Sequence, residues 1–383
     1  MWRAIASNGF TMLIVALFLF GGVILWGQAQ YTAKGPLAEA MCLRVAPGSN
    51  MRRVSDTLES RGALSNSSIF RVGVDYTDKA NKLKAGAFLI PEGASMAEIA
   101  DIVTRGGAST CGTEVVYRIG VTRAAVQVRE MDPSTNRFAE VVSFNPATEE
   151  VPADYTRVRG QADTRYRVAL AEGVTSWQVV ETLKGIEVLK GEAAVPLEGV
   201  LAPDSYEVSV GDTVQSVLDR METAQQRLID TAWENRDPDT PLTSKQDLLI
   251  LASIIEKETA VAEERGVVAS VFTNRLNRSI RLQTDPTVIY GITQGQGTLG
   301  RGLRQSELRR DTPWNTYTID GLPITPIANP GRASLEAAAN PDTTDFIYFV
   351  ADGTGGHAFA KTLDEHNRNV AAWRKIERER NNN

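Results

Sequence analysis

The longest uncharged segment of the chain lies near its amino terminus, and it limits the fold more than any other feature. No charged side chain occurs from Ala4 to Ala33, and the interval from Phe10 to Trp26 is almost wholly apolar. Because a helix rises about 1.5 Å per residue, this segment is long enough to cross a hydrocarbon layer about 30 Å thick. The sequence therefore predicts a membrane-spanning helix within residues 1–33, followed by domains outside the bilayer.

The charges that flank the apolar segment suggest its orientation. Arg3 and the amino terminus precede it, whereas Lys34 and Glu39 follow it. Basic residues favour the cytoplasmic side, so we expect the amino terminus in the cytoplasm and the bulk of the chain outside it. The alternative is a cleaved signal peptide, since Gly27 and Ala29 are small residues at suitable offsets. The segment is longer than a usual signal core and its basic start is thin, which favours a retained single-pass anchor.

Composition and cysteine content limit the number of domains and the kinds of partner that the rest of the chain can have. The chain has 383 residues, of which 42% are hydrophobic and 23% charged, enough for two or three globular domains. A net charge of -6 gives no indication of a nucleic-acid partner. The two cysteines, Cys42 and Cys111, flank a candidate module from Leu43 to Thr110. An extracytoplasmic compartment permits a disulfide between them, and two unpaired buried thiols are the alternative.

A pattern of glycine, helix cap and apolar face occurs four times. Each copy has a capping residue two positions after a glycine, and apolar residues six and ten positions after it. The glycine and cap pairs are Gly48 and Asn50, Gly93 and Ser95, Gly173 and Thr175, and Gly211 and Thr213. The apolar pairs are Val54 and Leu58, Ile99 and Val103, Val179 and Leu183, and Val217 and Met221. Offsets of four and eight from the cap lie on one face of a helix, so each copy predicts a turn followed by an amphipathic helix.

Short apolar runs before these glycines predict one strand in each copy. The runs are Leu43–Val45, Ala87–Ile90, Arg167–Leu170 and, overlapping the turn, Tyr206–Val210. The first two copies, in residues 40–110, resemble the small β-α sugar-binding modules called LysM domains. The alternative is that a glycine turn with an N-cap simply recurs in any α/β protein.

Residues 111–165 do not follow the residue pattern of the repeats. Val115–Tyr117, Val126–Val128 and Phe138–Val142 have the character of strands, and Asp132–Asn136 is a turn signal. The polar stretch from Asn145 to Arg165 has the composition of a linker. We interpret this segment as a β-rich insert and linker without visible chemistry.

The stretch from Leu248 to Tyr290 carries the strongest chemical signal. Ser244 is a candidate N-cap with Asp247 three residues later, and an apolar run then leads to Glu256. A carboxyl beside a buried helix loses hydration, which raises its pKa as a general acid near neutral pH requires. The alternative is that Glu256 is simply the first surface residue after a core helix. Glu258 lies about 200° further around the helix and does not share its face.

Further polar residues are candidates for contacts with a hydroxyl-rich ligand. A second amphipathic segment, with Val267, Val268, Val271, Phe272 and Leu276, leads to Gln283, Thr284 and Asp285 just before Pro286. Asn315 and Tyr317 lie in Pro- and Gly-rich loops, and His357 follows a glycine-rich turn. Amides, hydroxyls and aromatic faces suit a carbohydrate groove, whereas ordinary structural turns are the alternative. The two histidines make a poor zinc site, so a hydrogen-bonding role is expected.

Seven ordered motifs together resemble the YceG-like family of endolytic murein transglycosylases. They are Leu197–Gly199 with Pro203–Tyr206, Ala252–Thr259, Asn274–Leu276, Leu282–Gly291, Asn315–Tyr317, Gly321–Gly331 and Gly355–Asn367. The resemblance implies an α+β chain with a transmembrane helix, a LysM-like α/β module, a β-rich insert and a mainly helical α+β catalytic domain over residues 166–383. Two departures are Ile324-Thr325, where a Pro-Gly is usual, and the large 111–165 insert.

The resemblance also implies an activity. Glu256 occupies the position of the catalytic acid, and Gln283, Thr284, Asp285, Asn315, Tyr317 and His357 would bind the substrate. The reaction cleaves MurNAc-GlcNAc β-1,4 bonds within nascent glycan strands and leaves 1,6-anhydroMurNAc ends, with no metal or other cofactor. The implied location is the cytoplasmic (inner) membrane with the bulk of the chain in the periplasm, where peptidoglycan synthases would be partners.

Two other functions remain open from the sequence. A hydrolytic muramidase would use Asp285 as the second carboxylate that water activation or a covalent intermediate needs. A non-catalytic, membrane-anchored peptidoglycan-binding scaffold would need no acid, and the intact Glu256 motif argues against it.

Overall fold

A computed structural model describes residues 2–46, 48–105, 110–161 and 164–381. Helices and strands are interspersed up to residue 214, and helices dominate thereafter. In chain order they are α1 (Trp2–Thr32), β1 (Met41–Val45), α2 (Met51–Ser60), α3 (Ser67–Tyr76), β2 (Gly86–Ile90), α4 (Met96–Thr104), β3 (Thr113–Ile119), β4 (Ala124–Asp132), β5 (Arg137–Phe144), α5 (Ala153–Val158), β6 (Arg165–Leu170), α6 (Ser176–Lys184), β7 (Ser205–Val208), α7 (Val214–Glu234), α8 (Lys245–Glu258), α9 (Arg265–Asn277), α10 (Asp285–Thr293), α11 (Gln305–Leu308), α12 (Arg332–Ala339), β8 (Tyr348–Ala351), β9 (His357–Ala360) and α13 (Leu363–Asn381).

The chain divides into two compact units. The first comprises Met1–Val116, Gln127–Phe144 and Glu150–Tyr166, and the second comprises Tyr117–Val126, Asn145–Glu149 and Arg167–Asn383. The structure is therefore a mixed α+β protein with an apolar helix at its amino terminus, as the sequence predicts at that level.

Helix α1 has the properties of a membrane span. Thr11–Thr32 is 22 residues long with a mean hydropathy of 2.1, and its most apolar window is not buried by the protein. Its last turn behaves differently, because Tyr31 is buried in the core of the first unit. A side chain at Gly73 would collide with the Tyr31 ring. The apolar helix and the module after it therefore share a core.

The first module has β1 and β2 as an antiparallel pair, with Met41 opposite Ile90 and Val45 opposite Gly86. Helices α2, α3 and α4 enclose a core that includes Phe70 and Leu58. Helix α3 was not expected from the sequence, and its start is capped by Asn66. Cys42 and Cys111 form a disulfide with their Cα atoms 5.9 Å apart, which closes the module as a loop.

All four predicted helix starts are found. Asn50, Ser95, Thr175 and Thr213 are the N-caps of α2, α4, α6 and α7, and each accepts a hydrogen bond from a backbone amide of the first turn. The preceding glycines have φ between 64° and 98°, a region that favours glycine. The eight predicted apolar positions are all buried. The repeat is thus a repeat of structure as well as of sequence.

One five-stranded sheet has the order β5-β4-β3-β6-β7. The three strands predicted in the 111–165 segment are present, and they share this sheet with β6 and β7. The prediction of a linker from Asn145 to Arg165 was wrong in part, because α5 lies within it. Tyr155 and Val158 of α5 are buried, and the Tyr155 ring packs edge-on against Phe144 at 5.4 Å. Tyr155 and Val158 are three positions apart and so lie on one face of the helix, and α5 packs against β5.

The helices of the second unit surround α8. Ser244 caps α8 and Asp247 completes a capping box, as predicted. Eight consecutive residues, Leu248 to Ile255, are buried, so α8 is the central helix of this core. Helix α12 packs against α8, α7 and α9. The carboxyl-terminal end of α8 therefore emerges beside the start of α12.

Candidate active site

Glu256 follows the buried run of α8 and is partly exposed. Its Oε2 atom accepts hydrogen bonds from the Gly331 backbone amide at 3.0 Å and from the Ser334 hydroxyl at 2.7 Å. Gly331 is the N-cap of α12, and Ser334 lies in the first turn of that helix. Free amides and the helix dipole stabilise negative charge at this point. The site therefore holds a carboxylate at a helix start, with one side open to solvent.

A second carboxyl, that of Glu172, lies against the same glycine. A Cβ atom at Gly331 would collide with the Glu172 carboxyl group, so a side chain there would displace it. Burial of the carboxyl and then the charge of Glu256 raise the pKa of Glu172, while Arg265 opposes the shift. Glu172 was not among the predicted site residues. The carboxyl that neighbours Glu256 is thus Glu172 in the β6–α6 turn.

Lys257, the next residue of α8, brings a positive charge close to Glu256. Its Nζ atom donates to the Gly173 carbonyl at 3.2 Å, and burial lowers its pKa against the opposing charges of Glu256 and Glu198. Burial raises the pKa of Glu198, although its Oε1 accepts a 2.7 Å hydrogen bond from the Ser176 amide. Burial also raises the pKa of Tyr290, which hydrogen-bonds to Glu198. Residues from four parts of the chain therefore converge here, namely the β6–α6 turn, the loop before β7, α8 and α10.

A separate polar cluster surrounds Glu258. The Thr284 hydroxyl donates to Glu258 Oε1 in a short hydrogen bond. Burial raises the pKa of Glu258, and the charge of Asp285 adds to the shift while Thr284 and His357 oppose it. The prediction from the sequence placed this effect at Glu256 instead. The sequence showed where the apolar run of α8 ends. Which carboxyl is covered depends instead on the loop before α10, where Thr284 covers Glu258.

The same cluster contains four of the six predicted substrate contacts, and Thr284 is one of them. The Tyr317 hydroxyl donates to Asp285 Oδ1 at 2.7 Å, and burial followed by this hydrogen bond raises the pKa of Tyr317. His357 Nδ1 lies 2.8 Å from Glu264 Oε2, and its backbone amide donates to the other oxygen of that carboxylate. The structure thus brings Thr284, Asp285, Tyr317 and His357 together around Glu258.

The remaining two predicted contacts differ from each other. The Gln283 side chain is exposed, and the residue has a left-handed φ of 50°. Its backbone N–H donates to the Thr316 carbonyl at 3.1 Å. Asn315 is only 1% exposed, and its side-chain amide donates to three backbone carbonyls, the closest at 2.6 Å. The expectation that Asn315 faces a groove is therefore not met, because its hydrogen bonds are used inside the loop. Thr284, at 3% exposure, is buried as well.

Several further residues that the motifs contain hold the site together. Ser253 Oγ accepts the Ile327 amide at 3.0 Å, and Asn329 Oδ1 accepts the Leu201 amide at 2.9 Å. In the loop where Ile324-Thr325 departs from the usual pattern, Thr325 Oγ1 accepts the Trp314 indole N–H at 2.8 Å. The substituted loop therefore has a specific anchor of its own.

A model of the YceG-like family matches residues 43–372, which is most of the chain. This protein belongs to the YceG-like family. An endolytic murein transglycosylase of Bacillus subtilis is 28% identical over 91% of this chain and 89% of its own length. One of Streptococcus pneumoniae is 27% identical over 85% of this chain, which spans only 57% of that longer relative. A crystal structure of a YceG-like protein from Listeria monocytogenes is 26% identical and covers 86% of this chain and 99% of its own, with a TM-score of 0.45.

Proposed function

We infer that this family member is a lytic transglycosylase, a carbon–oxygen lyase that cleaves MurNAc-GlcNAc β-1,4 bonds inside peptidoglycan strands and leaves 1,6-anhydroMurNAc ends. The observation that carries this function is the placement of Glu256, a partly exposed carboxyl held at the start of α12. Relatives that match along most of the chain have this activity in their names. Cleavage within nascent strands would end their elongation.

One carboxyl suffices for this reaction because the nucleophile belongs to the substrate. Glu256 gives its proton to the glycosidic oxygen as the bond from C1 to that oxygen breaks. The resulting carboxylate then takes the proton of the C6 hydroxyl as O6 bonds to C1 and closes the anhydro ring. An intramolecular attack of this kind has an effective concentration of roughly 10⁵ M or more in favourable cases. Gly331 and Ser334 stabilise the carboxylate that exists between the two steps.

The groups around Glu258 have a different part in this proposal. Gln283, Asp285, Tyr317 and His357 orient the glycan, since each has an exposed or partly exposed side chain. Thr284 and Asn315 act as supports, because their side chains are buried. Glu258, covered by Thr284, fixes the loop that presents these contacts.

The cellular setting follows from α1. In our proposal α1 spans the cytoplasmic membrane with the amino terminus in the cytoplasm. The rest of the first compact unit and the whole second unit lie in the periplasm. The first module, with its strand and cap repeats, acts as a LysM-like binder of glycan. Peptidoglycan synthases, which make the nascent strands, are the partners that this setting brings within reach.

Digestion of purified peptidoglycan tests the reaction and the acid together. The full chain in detergent micelles is compared with Glu256→Gln, and the products are identified by mass spectrometry. Internal fragments with 1,6-anhydroMurNAc ends are expected from the wild type alone. Hydrated reducing ends would instead identify a muramidase. Glycan binding without products from either protein would identify a scaffold, and equal activity of the variant would remove Glu256 from the mechanism.

A further inference from the structure

Gln225 is a polar residue at a position of α7 where the helix pattern predicts an apolar one. Seven residues form the buried face of α7, and six of them are apolar: Val214, Val217, Leu218, Met221, Gln225, Ile229 and Ala232. Gln225 is fully buried, and its Oε1 atom meets no donor within the described residues. A buried amide with an unpartnered oxygen costs free energy that an apolar side chain would not cost. Core stability therefore does not explain Gln225, and a local break in a core pattern is typical of functional sites.

The side-chain nitrogen of Gln225 joins two loops. Its Nε2 atom donates to the Gly199 carbonyl at 3.0 Å and to the Pro330 carbonyl at 3.1 Å. The residue before Pro330 is fixed by a different segment, because the Asn329 backbone amide donates to the Val174 carbonyl at 2.9 Å. The peptide that follows Asn329 is therefore held by α7 and by the turn that leads into α6.

The peptide group that Gln225 holds is the one that binds Glu256. The Pro330 carbonyl and the Gly331 N–H belong to one planar trans peptide, so they point in opposite directions and cannot rotate independently. The carbonyl accepts from Gln225, and the N–H donates to Glu256 Oε2 at 3.0 Å. A donor at the carbonyl also polarises the peptide and strengthens its N–H as a donor. One hydrogen-bond chain therefore runs from Gln225 through this peptide to Glu256.

We propose that Gln225 is a positioning residue for the reaction, which aims the Gly331 N–H at Glu256 Oε2 and so turns the other oxygen of that carboxyl toward the glycan. This inference rests on the proposed function, in which Glu256 reacts at the glycosidic bond. Gln225 is fully buried and cannot touch the substrate, so it acts through the Pro330–Gly331 peptide alone. The aimed N–H stabilises the carboxylate that exists between the two steps of the reaction.

Gln225→Met tests the proposal, because it keeps the length of the side chain and removes the donor. The Gly331 N–H then loses its fixed direction, so kcat for anhydro-end formation should fall about tenfold with KM nearly unchanged. A second readout does not depend on activity. Hydrogen exchange of the full chain in micelles, resolved to the Gly331 amide by electron-transfer fragmentation, should become about tenfold faster. Gln225→Asn is too short to reach both carbonyls and should change both readouts in the same direction.

Two variants of α7 serve as matched controls. Ile229→Val removes one buried methyl group from the same face, so it lowers the melting temperature and leaves the Gln225 hydrogen bonds in place. Gln226→Met makes the same chemical change at the next residue, whose exposed side chain donates to Asp230. Both controls should keep the wild-type kcat and the wild-type exchange rate of Gly331.

The outcomes separate this inference from the proposed function. A folded Gln225→Met protein with kcat within about twofold of wild type would overturn the inference, and so would an unchanged exchange rate at Gly331. A fall in kcat that Ile229→Val reproduces at an equal loss of melting temperature would assign Gln225 to the core alone. A wild type that makes no anhydro ends would refute the proposed function itself, and the exchange rate of Gly331 would still decide whether Gln225 holds the peptide.

Discussion

Replacement of Ser334 by alanine isolates one of the two donors that hold Glu256. The Ser334 hydroxyl is fully buried and donates to Glu256 Oε2 at 2.7 Å, so it acts on the carboxyl and cannot touch a glycan. A hydrogen bond to a charged group contributes about 1.5–3 kcal/mol. In the proposed reaction this bond is strongest once Glu256 has lost its proton, so its loss raises the barrier rather than weakening substrate binding.

The expected result is a kcat lowered about tenfold to a hundredfold, with KM nearly unchanged. Initial rates of anhydro-end formation over a range of glycan concentrations would separate the two constants. Ser270→Ala is the matched control, because Ser270 is also a buried helix serine but bonds the Val267 carbonyl and Thr344. It should lose stability and keep its kcat. A folded Ser334→Ala protein with kcat within about twofold of wild type would refute the reasoning.

Three further predictions concern stability. The Cys42–Cys111 disulfide spans 69 residues, so its reduction should lower the stability of the first unit by about 4 kcal/mol, and an unchanged melting temperature in dithiothreitol would contradict this. Tyr31→Ala should destabilise the first module by about 3–5 kcal/mol, because the ring is part of its core, and hydrogen exchange of α3 amides in micelles would report the loss. Burial raises the pKa of Glu258, so the folded state binds this proton more tightly than the unfolded state does. The free energy of unfolding should therefore fall as pH rises from the ordinary carboxyl pKa to the raised one, and urea titrations should show a weaker fall in Glu258→Gln.

Local signals predicted much of this fold. The four N-caps of the repeat and the capping box of α8 depend on residues a few positions apart, and all are found as expected. The buried positions of the repeat also follow from one helical period. In such elements the sequence pattern and the tertiary structure agree, so the pattern alone was informative.

Contacts between segments that are distant in the sequence could not be predicted from these local signals. The pairing of Glu172 with Glu256 depends on a glycine far from both, and the burial of Asn315 depends on where three carbonyls of its loop point.

The burial of Tyr31 has a consequence for how this protein searches for its substrate. Backbone hydrogen bonds from Gly35 to Gly93 and from Gly93 to Leu37 continue the attachment beyond the ring. The anchor and the first module therefore move as one body, and the module cannot swing on a flexible tether. With α1 in the bilayer as proposed, the module stays at a constant height and explores the cell wall by lateral diffusion, a two-dimensional search confined to strands next to the membrane.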